Sequence, residues 1–230
     1  MTLYSVELIV AEDLEEAASI LADTLVEAAR AGRSIALTGG HSPGRAYELA
    51  AEREPDWSKP SLWWGDERCV PPDDERSNYR LARENLFDRL EAQPAETHRI
   101  RGELGAEAAA DEYDALLRDV RLDLVLLGLG ADGHTASLFP NMPTLEERER
   151  RAVPTEAKLE PFVDRVTMTI PVLASAPEVV FIVTGADKAD AAERAFGRPP
   201  DTATPASLVR SSAGTTRVVA DRAAAAKLLD

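Results

Sequence analysis

The sequence predicts an α/β protein built on a mostly parallel sheet with helices on both faces. Three observations predict it. Short apolar, β-branched runs alternate with helical patterns of roughly 8 to 18 residues, the order expected of βαβ units. The run at residues 34–38 is short and apolar, as a buried strand is. Glycine-rich turns follow the strands directly, where parallel sheets bind their ligands.

The elements follow in chain order. Residues 4–10 are apolar enough for a first strand. Asp13 opens a helix with Glu16 three residues on, a capping-box arrangement. Leu14, Ala17, Ala18, Leu21, Leu25 and Ala28 recur at helical spacing, and Gly32 ends the helix. The strand at 34–38 leads into the turn Gly39-Gly40-His41-Ser42-Pro43 and a helix over about 44–51. Residues 62–64 give a short strand, 65–78 a loop (GDERCVPPDDERSN) and 79–90 a helix. A helix over 103–118 precedes a strand at 122–127 that runs into GLGADGH. Strands are predicted at 166–170, 179–184 and 216–220, with helical segments at 186–196 and 221–229. Residues 140–160 are rich in proline and charge and read as irregular. No composition break divides the chain, so one domain over 1–230 is expected.

Composition narrows the functional classes. The 230 residues carry a net charge of −15, which argues against nucleic acid or an anionic membrane as partner. One cysteine and three histidines exclude a disulfide framework and a Cys/His zinc cluster. No basic, apolar leader opens the chain, and the run at 124–131 falls far short of the roughly 18 apolar residues of a membrane span. A cytoplasmic protein that works as a monomer is the expectation.

Two motifs fail on inspection. Gly40-His41-Ser42-Pro43-Gly44 has the form of a nucleophile elbow, but the residue after the serine must donate its N–H to an oxyanion, and proline has none. Gly128, Gly130 and Gly133 have the spacing of a dinucleotide fingerprint. Pro140 and Pro143 interrupt the helix it requires, and Asp132 would set a carboxylate against a pyrophosphate.

The loops still carry chemistry. Gly39, Gly40, His41 and Ser42 stand just before a helix, so backbone N–H groups there can converge on an anion. His134 lies at a strand's C-terminal mouth with Asp132 two residues before it. Asp66, Glu67 and Arg68 occupy another mouth loop. Cys69 reads as an inert thiol, Trp57, Trp63, Trp64 and Phe162 as packing residues, and His98 as a surface residue.

The segments LTGGHSPGRAYELA, WWGDERCVPPDDERSNYR, LDLVLLGLGADGHTASLFP and RVTMTIPVLASAPEVVFIVTGADKADA together resemble the 6-phosphogluconolactonase family, in order from about residue 34 to 195. The resemblance implies a three-layer α/β/α, Rossmann-like fold of the glucosamine-6-phosphate deaminase/ribose-5-phosphate isomerase type. It implies hydrolysis of 6-phospho-D-glucono-1,5-lactone, a small phosphosugar lactone, in the oxidative pentose phosphate pathway, with no cofactor and no metal. The deaminase relatives carry a catalytic glutamate five residues after the loop histidine, where this chain has Phe139. Sugar-phosphate-binding regulators use a related fold without catalysis, but with a DNA-binding domain attached.

On this reading His134 is the general base, because an imidazole exchanges protons near neutral pH. Asp132 or Asp66 orients the imidazole or the water; sequence alone does not choose. Arg68 binds substrate oxygens or the oxyanion. The resemblance places the 6-phosphate on Gly39–Ser42 and gives Arg165 and Lys188 the task of neutralising it. Lys188 stands out because only four of the 26 basic residues are lysine.

Overall fold

The computed structural model describes residues 5–157 and 160–229. Among them the chain runs β1 (Glu7–Ala11), α1 (Leu14–Arg30), β2 (Ser34–Leu37), α2 (His41–Arg53), β3 (Ser61–Trp64), β4 (Asp66–Arg68), α3 (Asn78–Asn85), β5 (Glu96–His98), α4 (Ala106–Leu117), β6 (Leu124–Leu127), β7 (Ala152–Thr155), β8 (Arg165–Met168), α5 (Ile170–Ser175), β9 (Glu178–Val183), α6 (Ala189–Phe196), β10 (Thr215–Asp221) and α7 (Arg222–Ala225). Seven strands form one sheet in the order β1-β10-β9-β6-β2-β3-β5. Every pairing within it is parallel. All four residues of β6 are fully buried. Successive residues of a strand face opposite sides, so both faces of the sheet are covered there.

Local chemistry explains the helix ends that the sequence announced. Asp13 caps α1, its carboxylate accepting from the Glu16 N–H at 3.0 Å. Gly32 takes φ +67° past its end, and Arg33 N–H closes on the Ala28 carbonyl. Apolar residues of α1 line up on one buried face, from Ala17 through Leu21 and Leu25 to Ala28.

Several expectations need correction. The first strand is described from Glu7; Tyr4, at the start of the expected run, lies outside the described residues. The Gly39–Pro43 turn is shorter than expected, because α2 already begins at His41. Asp66–Arg68, expected as loop, and Ala152–Thr155, inside the segment expected to be irregular, are strands. They flank β8 in a separate antiparallel sheet, β4-β8-β7. Short strands of this kind are specified by their partners rather than by local pattern. The same holds for β5, a three-residue edge strand paired with β3 that no local pattern announces. The strand expected at 166–170 is β8 of this small sheet, and Ile170 starts α5. Phe162, expected to pack, is 67% exposed. A tight turn from Pro161 carbonyl to Val163 N–H at 2.8 Å turns it outward. His98, expected at the surface, is half-buried and stacks on Trp63 with ring centroids 4.0 Å apart.

The sheet's order reverses between β2 and β6. Their pairing covers only Ile35–Leu124 and Ala36–Val125, whereas β2 stays with β3 as far as Leu37–Trp64. The strands therefore part toward their C-terminal ends and open a crevice. Two buried tyrosines take up backbone groups that a neighbouring strand would otherwise hold. Tyr47 Oη of α2 accepts from Thr38 N–H at 3.0 Å and donates to Thr38 carbonyl at 2.7 Å. Tyr113 Oη of α4 does the same for Trp64, at 2.9 and 3.1 Å. Buried backbone groups without partners are costly. Tyr47→Phe is expected to lower unfolding free energy by about 1–3 kcal/mol in urea denaturation.

Candidate active site

The crevice between β2 and β6 is a cleft of about 560 Å³. Gly39, Gly40, His41, Ser42, Asp66, Arg68, His134, Arg165 and Lys188 all line it. Asp132 stands behind His134. The residues come from five different chain segments: those after β2, β6 and β9 bring Gly39–Ser42, His134 and Lys188, and the small sheet brings Asp66, Arg68 and Arg165.

His134 is set by the Gly128–Gly133 turn. Its Nδ1 lies 2.6 Å from Asp132 Oδ1, which also accepts from the His134 N–H at 3.1 Å. Asp132 therefore orients the imidazole, and Asp66 does not. Gly130 makes room for the pair: a Cβ there would come within 2.0 Å of His134 Nδ1 and 2.5 Å of Asp132 Oδ1. On its other side His134 packs on Phe139 at 5.1 Å between ring centroids. Burial pushes the Asp132 carboxyl up, but the hydrogen bonds and charge of His134 more than offset it, so the group is held below its ordinary value.

Asp66 is buried and faces other partners. Its Oδ2 accepts from Ser137 Oγ at 2.6 Å, and its Oδ1 from Asn78 Nδ2 at 3.2 Å. Arg68 donates from Nη1 to the Arg76 carbonyl. Directly across the β4–β8 ladder stands Arg165. Like charges directly opposite in a ladder repel. Burial pushes Arg165 below the usual guanidinium range; Asp66 counters this and Arg68 adds to it. Arg165 is 4% exposed, its guanidinium 5.4 Å over the Phe139 ring. Among the described residues, neither Nε of the two arginines has a hydrogen-bond partner.

The other cleft wall is the start of α2. Gly40 precedes it with φ +113°, no side chain caps it, and its first turn holds no acid. Pro43 has no N–H, which leaves those of His41 and Ser42 for a ligand. Ser42 Oγ lies 2.6 Å from Thr184 Oγ1 at the end of β9, and Asp221 Oδ2 accepts from the Gly185 N–H at 2.9 Å. Lys188 follows on this wall, 3.2 Å from Asp187. The basic groups thus divide between the small sheet (Arg68, Arg165) and the β9–α6 connection (Lys188).

Asn78 was missed from sequence. It lines the cleft as the first residue of α3, and its Nδ2 donates to Asp66 carbonyl at 2.9 Å. That partner fixes the amide's orientation, since a flipped amide would set oxygen against oxygen. Its buried Oδ1 has no partner among the described residues, and a Cβ on Gly39 would come within 2.0 Å of it. The signal was present in the SNYR segment, but nothing local tells that an asparagine there reaches across to Gly39. Cys69 is half-buried, its thiol pushed up to about 11 first by burial, then by Asp164 and Glu67, in keeping with an inert role.

An imidazole tied to a carboxylate, facing arginines, a lysine and a helix N-terminus at a parallel sheet's switch point, defines an α/β enzyme cleft for a small anion and proton transfer. Residues 10–218 match the family described as glucosamine-6-phosphate isomerases/6-phosphogluconolactonase. A Mycobacterium leprae protein named 6-phosphogluconolactonase is 37% identical over 218 residues, 87% of each chain. The solved 6-phosphogluconolactonase from Trypanosoma cruzi superposes with a TM-score of 0.89 at 25% identity, covering 100% of this chain and 99% of that one. A monomeric glucosamine-6-phosphate deaminase shares the fold, with a TM-score of 0.85 at 18% identity over 96% of this chain and 100% of its own. The chain belongs to the glucosamine-6-phosphate isomerase/6-phosphogluconolactonase family.

With His134 replaced by alanine, Asp132 loses the imidazole's hydrogen bond and charge, and only backbone N–H groups are left to counter its burial. Its carboxyl pKa is expected to rise in the variant, as read by NMR titration of the side-chain carboxyl carbon.

Proposed function

We propose that the cleft hydrolyses 6-phospho-D-glucono-1,5-lactone to 6-phospho-D-gluconate, a step of the oxidative pentose phosphate pathway. The family and the relatives' names support the substrate. The observation that carries the chemistry is the His134–Asp132 pair at the cleft, with Phe139 where the deaminase chemistry needs an acid.

Asp132 as a carboxylate only accepts, so the proton of the imidazole sits on Nδ1 and the lone pair on Nε2. Nε2 makes no hydrogen bond among the described residues and serves as the base. Water gives it a proton as the water oxygen attacks the lactone carbonyl carbon, and the carbonyl's electron pair moves onto its oxygen. Arg68 stabilises that oxyanion. Its collapse breaks the bond from the carbonyl carbon to the ring oxygen, which takes the proton back from Nε2–H. The products are the open-chain acid and a free hydroxyl. Asp132 holds the ring and favours the transient imidazolium, while Asp66, anchored by Ser137 and Asn78, orients the water.

The 6-phosphate lies on the N–H groups of His41 and Ser42, which Gly39 and Gly40 leave open to close approach. Lys188 and Arg165 neutralise it from the two walls. The deaminase alternative lacks its carboxylate: Phe139 is fully buried between His134 and Arg165 and handles no proton.

Freshly generated lactone separates the readings. Hydrolysis well above the spontaneous rate, with no ammonia released from glucosamine 6-phosphate, is the expected result; an unaccelerated rate overturns the lactonase reading. His134→Ala is expected to lower kcat about 10²–10⁴-fold. Lys188→Ala is expected to raise KM about 10-fold or more with kcat little changed, since phosphate is gripped equally in ground and transition states.

A further inference from the structure

Glu67 lies between two cleft residues and belongs to neither wall. Asp66 and Arg68 line the cleft, and Glu67, between them on β4, points to the other face. It is nonetheless 3% exposed. Its carboxylate accepts four hydrogen bonds: from the N–H of Arg68 at 2.7 Å, of Asn78 at 2.7 Å and of Tyr79 at 2.8 Å, and from Ser77 Oγ at 3.0 Å. Asn78 and Tyr79 are the first two residues of α3, and Ser77 is its cap, accepting in turn from Arg80 N–H at 3.1 Å. One carboxylate thus closes the start of α3 and ties it to β4.

We propose that Glu67 is a positioning residue for this reaction: its carboxylate, on the far face of β4, holds the segment 66–78 so that Asp66, Arg68 and Asn78 stand at the cleft wall. The proposal rests on the lactonase reading above. All four partners are donors, so the site fits an ionised carboxylate. A protonated carboxyl, or the amide of glutamine, turns a donor toward donors. What moves then is the cleft, because Asn78 holds Asp66 and Arg68 donates to the Arg76 carbonyl of the same segment.

Protonation is within reach of ordinary pH. Burial pushes the carboxyl up to about 6, although the N–H groups of Asn78, Tyr79 and Arg68 pull it down; Asp66 adds to the rise. Arg68 and Tyr79 meet it through their backbone N–H groups, and the other ionisable side chains close enough to feel its charge are Cys69 just after β4, Tyr113 on α4, Arg99 ahead of α4, and Arg165 on β8. As pH falls through the carboxyl's range, Glu67 takes a proton and the clamp slackens.

The test is kcat/KM for lactone hydrolysis between pH 5 and 7.5 in wild type, Glu67→Gln and Ser77→Ala, with cooperative melting checked for each. Expected are a wild-type acid limb whose limiting slope exceeds that of Glu67→Gln by one proton, and a Glu67→Gln enzyme at least tenfold slower at pH 7.5. Ser77→Ala deprives the carboxylate of one donor, and its acid limb is expected to move to higher pH. Wild-type kcat/KM at pH 7.5 in Glu67→Gln, or an unchanged slope, overturns the proposal. If Glu67→Gln does not fold, an unshifted acid limb in Ser77→Ala overturns it. A wild-type chain that does not accelerate hydrolysis removes the lactonase reading instead.

Discussion

Two parallel strands at the centre of the sheet, β2 and β6, share a ladder for two residue pairs and then part. Backbone N–H and C=O groups at such a parting lie in the interior and require other partners. Tyr47 supplies them for Thr38, and Thr135 Oγ1 donates to the Gly128 carbonyl at 2.9 Å. The gap kept open in this way is the cleft, and the loops that leave the two strands, with glycine at 39, 40, 128 and 130, form its floor. Each functional side chain owes its place to an element that ends at this gap or packs over it. The antiparallel β4-β8-β7 sheet adds the wall that carries Asp66, Arg68 and Arg165.

Electrostatics shapes the same cleft. A chain of net charge −15 repels anions at long range, yet the proposed substrate is a phosphate ester. Salt limits that repulsion to about 8 Å at physiological ionic strength, so binding rests on the local arrangement. Arg68 and Arg165 are directly opposed, and Arg165 is buried at a cost to its charge. Such a pair is unfavourable by itself, and Asp66 offsets only part of it; in the proposed function the substrate's negative charge supplies the rest. Elsewhere on the surface, arginines pair with acids, as Arg99 with Glu103 at 2.6 Å and Arg53 with Asp23 at 2.7 Å.

Much of this was legible in the residues. The helix starting at Asp13, the buried strands and the glycine turns after them follow from capping chemistry and hydrophobic period, both local. The residues named after β2 and β6 converge because parallel strands present their C-terminal ends at one edge, while Asp66, Arg68 and Arg165 arrive on the antiparallel β4–β8 pair. What escaped notice was specified at long range. Strands β4, β5 and β7 are three or four residues long and exist through their partners. Asn78 reaches the cleft only because Glu67, eleven residues earlier, holds the first turn of α3.

By itself, then, the sequence determined the alternation of strand and helix, the mouth loops and the kinds of chemistry they hold, because backbone propensity and residue type act over a few positions. Only the tertiary structure shows which of the two aspartates touches the imidazole. Asp132 reaches His134 Nδ1 across a tight turn that a side chain on Gly130 would block, while Asp66 is drawn away to Ser137, 71 positions on in the chain. It also decided which cations share a wall, since register across an antiparallel ladder, and not distance along the chain, sets Arg68 against Arg165.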